Sequence, residues 1–491
     1  MASATTALGL CRARLSLVSP AQVLRLLLLL AGFGWSILFI IVGLHYGLEM
    51  FGDGSIFAYS VAVTDGWRMH WHNISCRLFV HLFAHVPAEA YVRLTGGPRG
   101  GIMIYAFLFF GAQLFGLLAT LAFDRSPGRV LLGYACASTA CLCPLVFGFP
   151  TEMWIAHALF WPALTIAHYA RGQLAGFAVF GVLPALILSH EGALIFVAAI
   201  LATLTLRGTG DLAFLRAATA GGLALGIWVA IRLVLPPDPY IAAVLANAAR
   251  NFIDLRSLAL DPLRLMLVAL IGYGLALFAL RWINREHAHL CAALLVAVTF
   301  VAHVLMTNAS IVGENRYYLS TALLTFTPLL GTLAAGGAVA AEGRLAPALA
   351  RLQGLLQSAA SIRFATGAML VAMVVHAVET ERFVVQWVHY EEAVRKLATG
   401  TTSDPALGDP RFVSANRLPA NLNGLVWAST THFLSILVAP AFAPARLVVD
   451  PGANYFWLPC RTATASSSAR RAVPLVTRQL LRRYACLTRR H

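Results

Sequence analysis

Residues 23–44, VLRLLLLLAGFGWSILFIIVGL, contain a single charged side chain, Arg25. An apolar helix of ~20 residues matches the ~30 Å hydrocarbon core of a bilayer, so this stretch reads as a membrane span. Arg12 and Arg14 precede it and no small-residue cleavage pattern follows. The expectation is a retained span with a cytoplasmic amino terminus. Working outward, similar apolar blocks lie near 101–123, 130–148, 153–169, 174–190, 192–206, 217–235, 264–280, 288–306, 316–336 and 364–379. The predicted fold is an all-α polytopic membrane protein of about eleven transmembrane helices. Residues 1–380 form its transmembrane domain, 45–100 a long first extracytoplasmic loop, and 381–491 a small extracytoplasmic region with a basic tail.

Composition agrees. Of 491 residues, 59% are hydrophobic and 12% charged, with a mean hydropathy of +0.75. Soluble domains carry about 25% charged residues, so a soluble enzyme is excluded. The net charge of +15 speaks of topology and anionic lipid, with no nucleic-acid partner expected. One lysine, Lys396, stands among 36 basic residues, an arginine bias that goes with a GC-rich bacterial genome. The expected location is therefore a bacterial inner membrane.

Up to residue 378, the inner side of this topology holds thirteen arginines against four acids, and the outer side nine against ten. That is the asymmetry expected when cytoplasmic loops carry the arginine excess. It also gathers ten of fourteen acids on one face. Carboxylates near a bilayer cost free energy, so that face is the candidate chemical side; a solvated loop surface is the alternative. The stretch 422–443, LNGLVWASTTHFLSILVAPAFA, is long enough for a twelfth span, but its Asn423, Thr430, Thr431, His432 and Ser435 favour a folded outer segment. The last residues, 470–491, hold seven arginines and no acid, which suits either the cytoplasm or a basic surface lying on headgroups. The eight cysteines are scattered without zinc-site pairing and read as small buried residues.

The first outer loop, HYGLEMFGDGSIFAYSVAVTDGWRMHWHNISCRLFVHLFAHVPAEAY, carries the most chemistry. Asp53 lies between Gly52 and Gly54, which permit a sharp turn, and SIFAYSVA after it reads as an interfacial helix. Phe51, Phe57 and Tyr59 would dry the carboxylate and raise its pKa toward a general-base value. A plain helix N-cap is the equal alternative. His81 and His85 are spaced i, i+4, a spacing that suits a polar groove better than a metal site, because further ligands are lacking. His72 is a second candidate near Asp53. Glu152 opens a predicted span, and His190-Glu191 interrupts the apolar run FAVFGVLPALILSHEGALIFVAAI. Ionisable residues at such depths are functional candidates by default. Arg316 and Tyr317 precede another span; arginine binds phosphate bidentately, and snorkelling beside an aromatic belt explains the same pair.

In this organisation the chain resembles the C-type (GT-C) membrane glycosyltransferases. Asp53 in FGDGSIFAYSVA stands where those enzymes carry a first-loop acid, and Arg316-Tyr317 resembles an Arg-Tyr pair before a late span in some members. A single acid stands here in place of the acidic pair of protein mannosyltransferase-like members. The resemblance implies transfer of a sugar from a polyprenyl-phosphate donor to a glycan, lipid or protein acceptor on the outer face. It implies that Asp53 acts as general base, that Arg316 with Arg77 stabilises the leaving phosphate, and that Glu152, His190 and Glu191 bind sugar hydroxyls or position the base. A divalent cation is left open. Polysaccharide polymerases or ligases, and transporters or flippases using His190-Glu191 for proton coupling, are the competing readings.

Overall fold

A computed structural model describes residues 19–67, 77–142, 152–169, 172–234, 261–283, 288–307, 327–333, 335–336, 354–355, 357–401, 412–427 and 430–449. Helix α1, Pro20–Tyr46, begins with Pro20 in its first turn and a reciprocal Ser19/Gln22 capping box, and ends on Gly47 at φ +63°. Each of these satisfies a backbone group that the helix itself leaves open. After it come α2, Gly54–Ala62; a helical stretch Leu78–Val80 that widens into a π-turn at His81–His85; and α3, Val86–Thr95. The bundle continues with α4, Pro98–Phe123; α5, Val130–Leu142; α6, Glu152–Tyr169; α7, Gln173–Ile187; α8, Ala193–Thr205; and α9, Leu212–Val234. Helices α10, Asp261–Leu280, and α11, Ala288–Thr307, pack on α12, Ala359–Thr399.

Among the described residues, five helices are long and apolar enough to cross a membrane: α1, α4, α9, α11 and α12. Helices α7, α8 and α10 contain shorter apolar stretches. Ten of the expected spans fall on helices, and the run 174–206 breaks at Leu188–Gly192 as its His190-Glu191 interruption requires. The expected span 316–336 lies mostly outside the described residues, which resume as helix at 327; so does the end of 130–148.

Helix α6 is buried along almost its whole length between α4 and α7. Close approach is bought with small residues: a Cβ at Gly116 of α4 would sit 2.3 Å from the Ala158 carbonyl oxygen of α6, the packing that apolar solvent favours. A chain of hydrogen bonds crosses this packing. The Ser138 hydroxyl of α5 hydrogen-bonds His157 Nε2 at 2.7 Å, and His157 Nδ1 donates to Gln113 Oε1 at 3.0 Å. The Gln113 amide donates in turn to the Trp154 carbonyl at 2.9 Å. Because that glutamine oxygen only accepts, His157 Nδ1 carries the hydrogen of this bond.

Helix α12 has 41 residues, about 60 Å at 1.5 Å per residue, twice the apolar thickness of a bilayer. It runs unbroken through residue 380, where the sequence reading ends the membrane domain. Its second half is supported by ion pairs of Glu391 with Arg395 and Glu392 with Lys396, and by Trp387 Nε1 donating to the Tyr46 carbonyl of α1 at 2.8 Å. The chain then folds back on this half. Strand β1, Phe412–Ser414, pairs in parallel with β2, Leu447–Val449, and between them lies α13, Thr431–Val438. The stretch 422–443 is thus no continuous span among the described residues: one eight-residue helix ends at Ala439, before Pro440, and 3-10 turns flank it.

Candidate functional site

Arg77, Glu152, Glu191 and Arg232 come from the first long loop, the start of α6, the α7–α8 turn and the end of α9. They meet in one ion chain. Arg77 Nη1 lies 2.7 Å from Glu152 Oε2, and Arg77 Nε and Nη2 both lie 3.0 Å from Glu191 Oε2. Arg232 Nη2 reaches Glu191 Oε1 at 2.9 Å, its guanidinium stacked over the Trp228 ring at 5.1 Å. The loop is docked by backbone as well, with Phe79 N–H donating to the Leu188 carbonyl at 3.0 Å. The four charges balance, two against two, and all four are largely buried. Glu152 Oε1 is buried without a hydrogen-bond partner.

Burial alone would push Glu191 up, but Arg77, His190 and Arg232 together hold it down at about 2. His190 is kept neutral, lowered to about 4 by burial and then by Arg77, while its Nδ1 accepts the Gly192 N–H at 3.0 Å. Asp53 behaves in the opposite way. Burial, followed by the negative charge of Glu152, raises it to about 7, with Arg77 opposing. Asp53 occupies the N-cap position of α2, yet its side chain makes no capping bond, and it keeps part of its surface accessible. An N-cap carboxylate serving α2 would accept an amide hydrogen and stay ionised; this one does neither. The arrangement therefore sets Glu191, held ionised by its arginines, against Asp53, which exchanges a proton near neutral pH, and a separation of that kind assigns acid and base roles.

Glu49 was not singled out from the sequence. It lies on the 3-10 turn Leu48–Met50 between α1 and α2, is 5% exposed and leaves Oε2 without a partner. Burial pushes it up to about 8, with Glu391 of α12 adding to the rise. Arg232 was also missed, its one local signal being Trp228 a helical turn earlier. The helix SIFAYSVA is not interfacial: every residue of α2 is buried, because α4 covers one side and α13 another.

His81 and His85 line an aromatic groove. Their rings stack at 5.8 Å, with Trp67 against His81 and with Phe57 and Tyr105 against His85. Glu89 accepts the Gly66 N–H at 2.8 Å and pairs with Arg93 at 3.1 Å. Among the described residues no three His, Cys, Asp or Glu side chains are grouped to hold a metal ion. Asp53 and Glu152 together supply only part of a coordination sphere, and Arg77 occupies one oxygen of Glu152. His72, Arg316 and Tyr317 lie outside the described residues. No family model, curated protein or solved structure matches the chain.

Proposed function

We propose that this protein is an integral-membrane glycosyltransferase that moves a sugar from a polyprenyl-phosphate donor to an acceptor hydroxyl. On this reading it is a bacterial inner-membrane protein of about eleven spans with its amino terminus in the cytoplasm and Asp53 on the extracytoplasmic face. The observation that carries it is Asp53: a partly accessible carboxyl, free of capping duty, poised near neutrality beside Arg77 and Glu152. A general base works best with a pKa near the operating pH. The acceptor hydroxyl gives its proton to Asp53 as its oxygen bonds to the sugar's anomeric carbon. The bond from that carbon to the phosphate oxygen breaks on the opposite side, and the phosphate leaves with the lipid. Glu152 and Glu191 hold Arg77 in place, and through it the field that Asp53 feels. Arg316 and Tyr317 are assigned to the phosphate, His190 and His72 to sugar or acceptor hydroxyls.

The test compares extracted glycolipids and surface polysaccharide by mass spectrometry between cells carrying the native protein and Asp53→Asn at matched membrane levels. Loss of one defined sugar with accumulation of its polyprenyl-phosphate donor is expected. Matching profiles would remove Asp53 from the chemistry and move transport to first place.

A further inference from the structure

The turn that carries Asp53 is built against chain that follows some 375 positions later. Gly52 adopts φ +55°, and a Cβ placed on it would lie 3.4 Å from Cδ2 and Cε2 and 3.7 Å from Cε3 of Trp427. Near-equal distances to these fused-ring atoms put the Gly52 backbone on the indole face. Phe51, on the other side of Gly52, sets its ring edge-on to Trp427, Trp387 and Phe383 at 6.3, 5.6 and 5.3 Å. Two residues past Asp53, the Ser55 hydroxyl lies 2.9 Å from the Gly52 carbonyl and 3.1 Å from that of Thr430. Tyr59, a turn further on, meets the Phe433 ring at 5.1 Å. Trp427 is itself fixed, because its carbonyl accepts the Thr430 and Thr431 N–H groups and the Thr431 hydroxyl.

We propose that Trp427 and the helix Thr431–Val438 are part of the Asp53 site, and that Trp427 is a positioning residue which sets the Asp53 turn and keeps water from one side of its carboxyl. An indole face against a glycine in the left-handed region leaves that turn one conformation, and a bulky apolar neighbour withholds the hydration that an ionised carboxylate needs. The titratable groups around Asp53 do not supply this effect from elsewhere. Arg77 and Glu152 act on it with opposite signs. His432 of α13 is buried and held neutral, lowered to about 3. Glu49 faces Glu391 on α12.

The inference rests on the transferase reading only in naming Asp53 as the base, and its test needs no turnover. Dicyclohexylcarbodiimide modifies protonated carboxyls in apolar surroundings, so peptide mapping by mass spectrometry after labelling between pH 5 and 9 reads the protonation of Asp53 in the full-length protein in detergent. Wild type should show a midpoint near 7 and Trp427→Phe should stay within half a unit of it. Trp427→Ala should lower the midpoint by a unit or more, cutting labelling at pH 7 about fivefold. Glu49 is the internal control, and its labelling should not move. If Trp427→Ala does not yield folded protein, Phe433→Leu, which loosens the same segment, should lower the Asp53 midpoint in the same direction. An unchanged midpoint in a folded variant, or equal shifts at Asp53 and Glu49, overturns the proposal. Loss of glycosyl transfer in Asp53→Asn bears on the transferase reading alone.

Discussion

Replacing Asp53 by Asn should stabilise the protein while abolishing its proposed activity, and the gain should grow with pH. In the folded state the carboxyl titrates near 7, against an ordinary value of 3.8. Below pH 4 both folded and unfolded chains carry the proton and Asp53 contributes nothing to the balance. As pH rises from 4 to 7 the unfolded chain releases its proton first, so the folded state binds more protons and stability falls; above 7 the loss is complete. At 1.36 kcal/mol per unit, the full cost is about 4 kcal/mol at pH 8 and about 2 kcal/mol at pH 5. Asparagine has nearly the same shape and no charge, so Asp53→Asn should recover most of that cost. Thermal melting of detergent-solubilised wild type and variant at pH 5 and pH 8 measures the difference. A higher Tm for the variant, by more degrees at pH 8 than at pH 5, is the expected pattern. A variant equal to or less stable than wild type at pH 8 would mean that the carboxylate is paired and ionised, and the poised-base argument would fail.

Other substitutions probe the ion chain and the core. Arg77→Ala leaves Glu152 and Glu191 buried with reduced compensation, and should cost about 3–5 kcal/mol at neutral pH, read as a lower Tm. Arg232→Met should cost less, because Glu191 keeps Arg77, and it should leave Asp53 labelling within half a unit of wild type. Ser138→Ala removes one interhelical hydrogen bond to His157 and should lower stability by about 0.6–2 kcal/mol; a larger loss would show that His157 depends on that bond for its position. Gly116→Ala drives a Cβ to 2.3 Å from the Ala158 carbonyl oxygen, so α4 and α6 must separate, and the variant should be recovered in the membrane at much lower yield.

The helices were legible because each apolar block is long and ends in charge, Pro or Gly, and that pattern survives any tertiary arrangement. The carboxylates were legible for a related reason: an acid at the end of an apolar run has to be explained, and Asp53, Glu152 and Glu191 all stand at such places. Arg232 escaped because an arginine at a span end is ordinarily a snorkelling side chain, and only the distance to Glu191 separates the two cases. Glu49 escaped because nothing local says that its turn is covered, and the acid that acts on it, Glu391 of α12, lies more than 300 positions away. The same applies to α2, whose apolar sequence fits an interfacial helix until α13 is laid over it. The Gly52-Asp53-Gly54 turn suggested a cap or a base with equal force; the structure shows no side-chain cap bond from Asp53, and its role as base is the proposal.

The balance of charge in the ion chain constrains how a phosphate-bearing donor would be held. Arg77 has both of its faces engaged, by Glu152 and by Glu191, and Arg232 shares Glu191 with it. A phosphate approaching either guanidinium would displace a carboxylate already paired at 2.7–3.0 Å, and that carboxylate would then need a proton or another cation. Glu191, held at about 2, is the group least able to take a proton. On the proposed reading the chain of pairs serves better as a rigid support than as a phosphate clamp: it fixes Arg77 so that its field on Asp53 stays constant while substrate comes and goes. On the proposed reading the counter-charge for the leaving phosphate comes from arginines outside this chain of pairs, Arg316 first among them. On that reading the work left to Arg77 is to keep Asp53 from rising above the pH at which it would accept a proton.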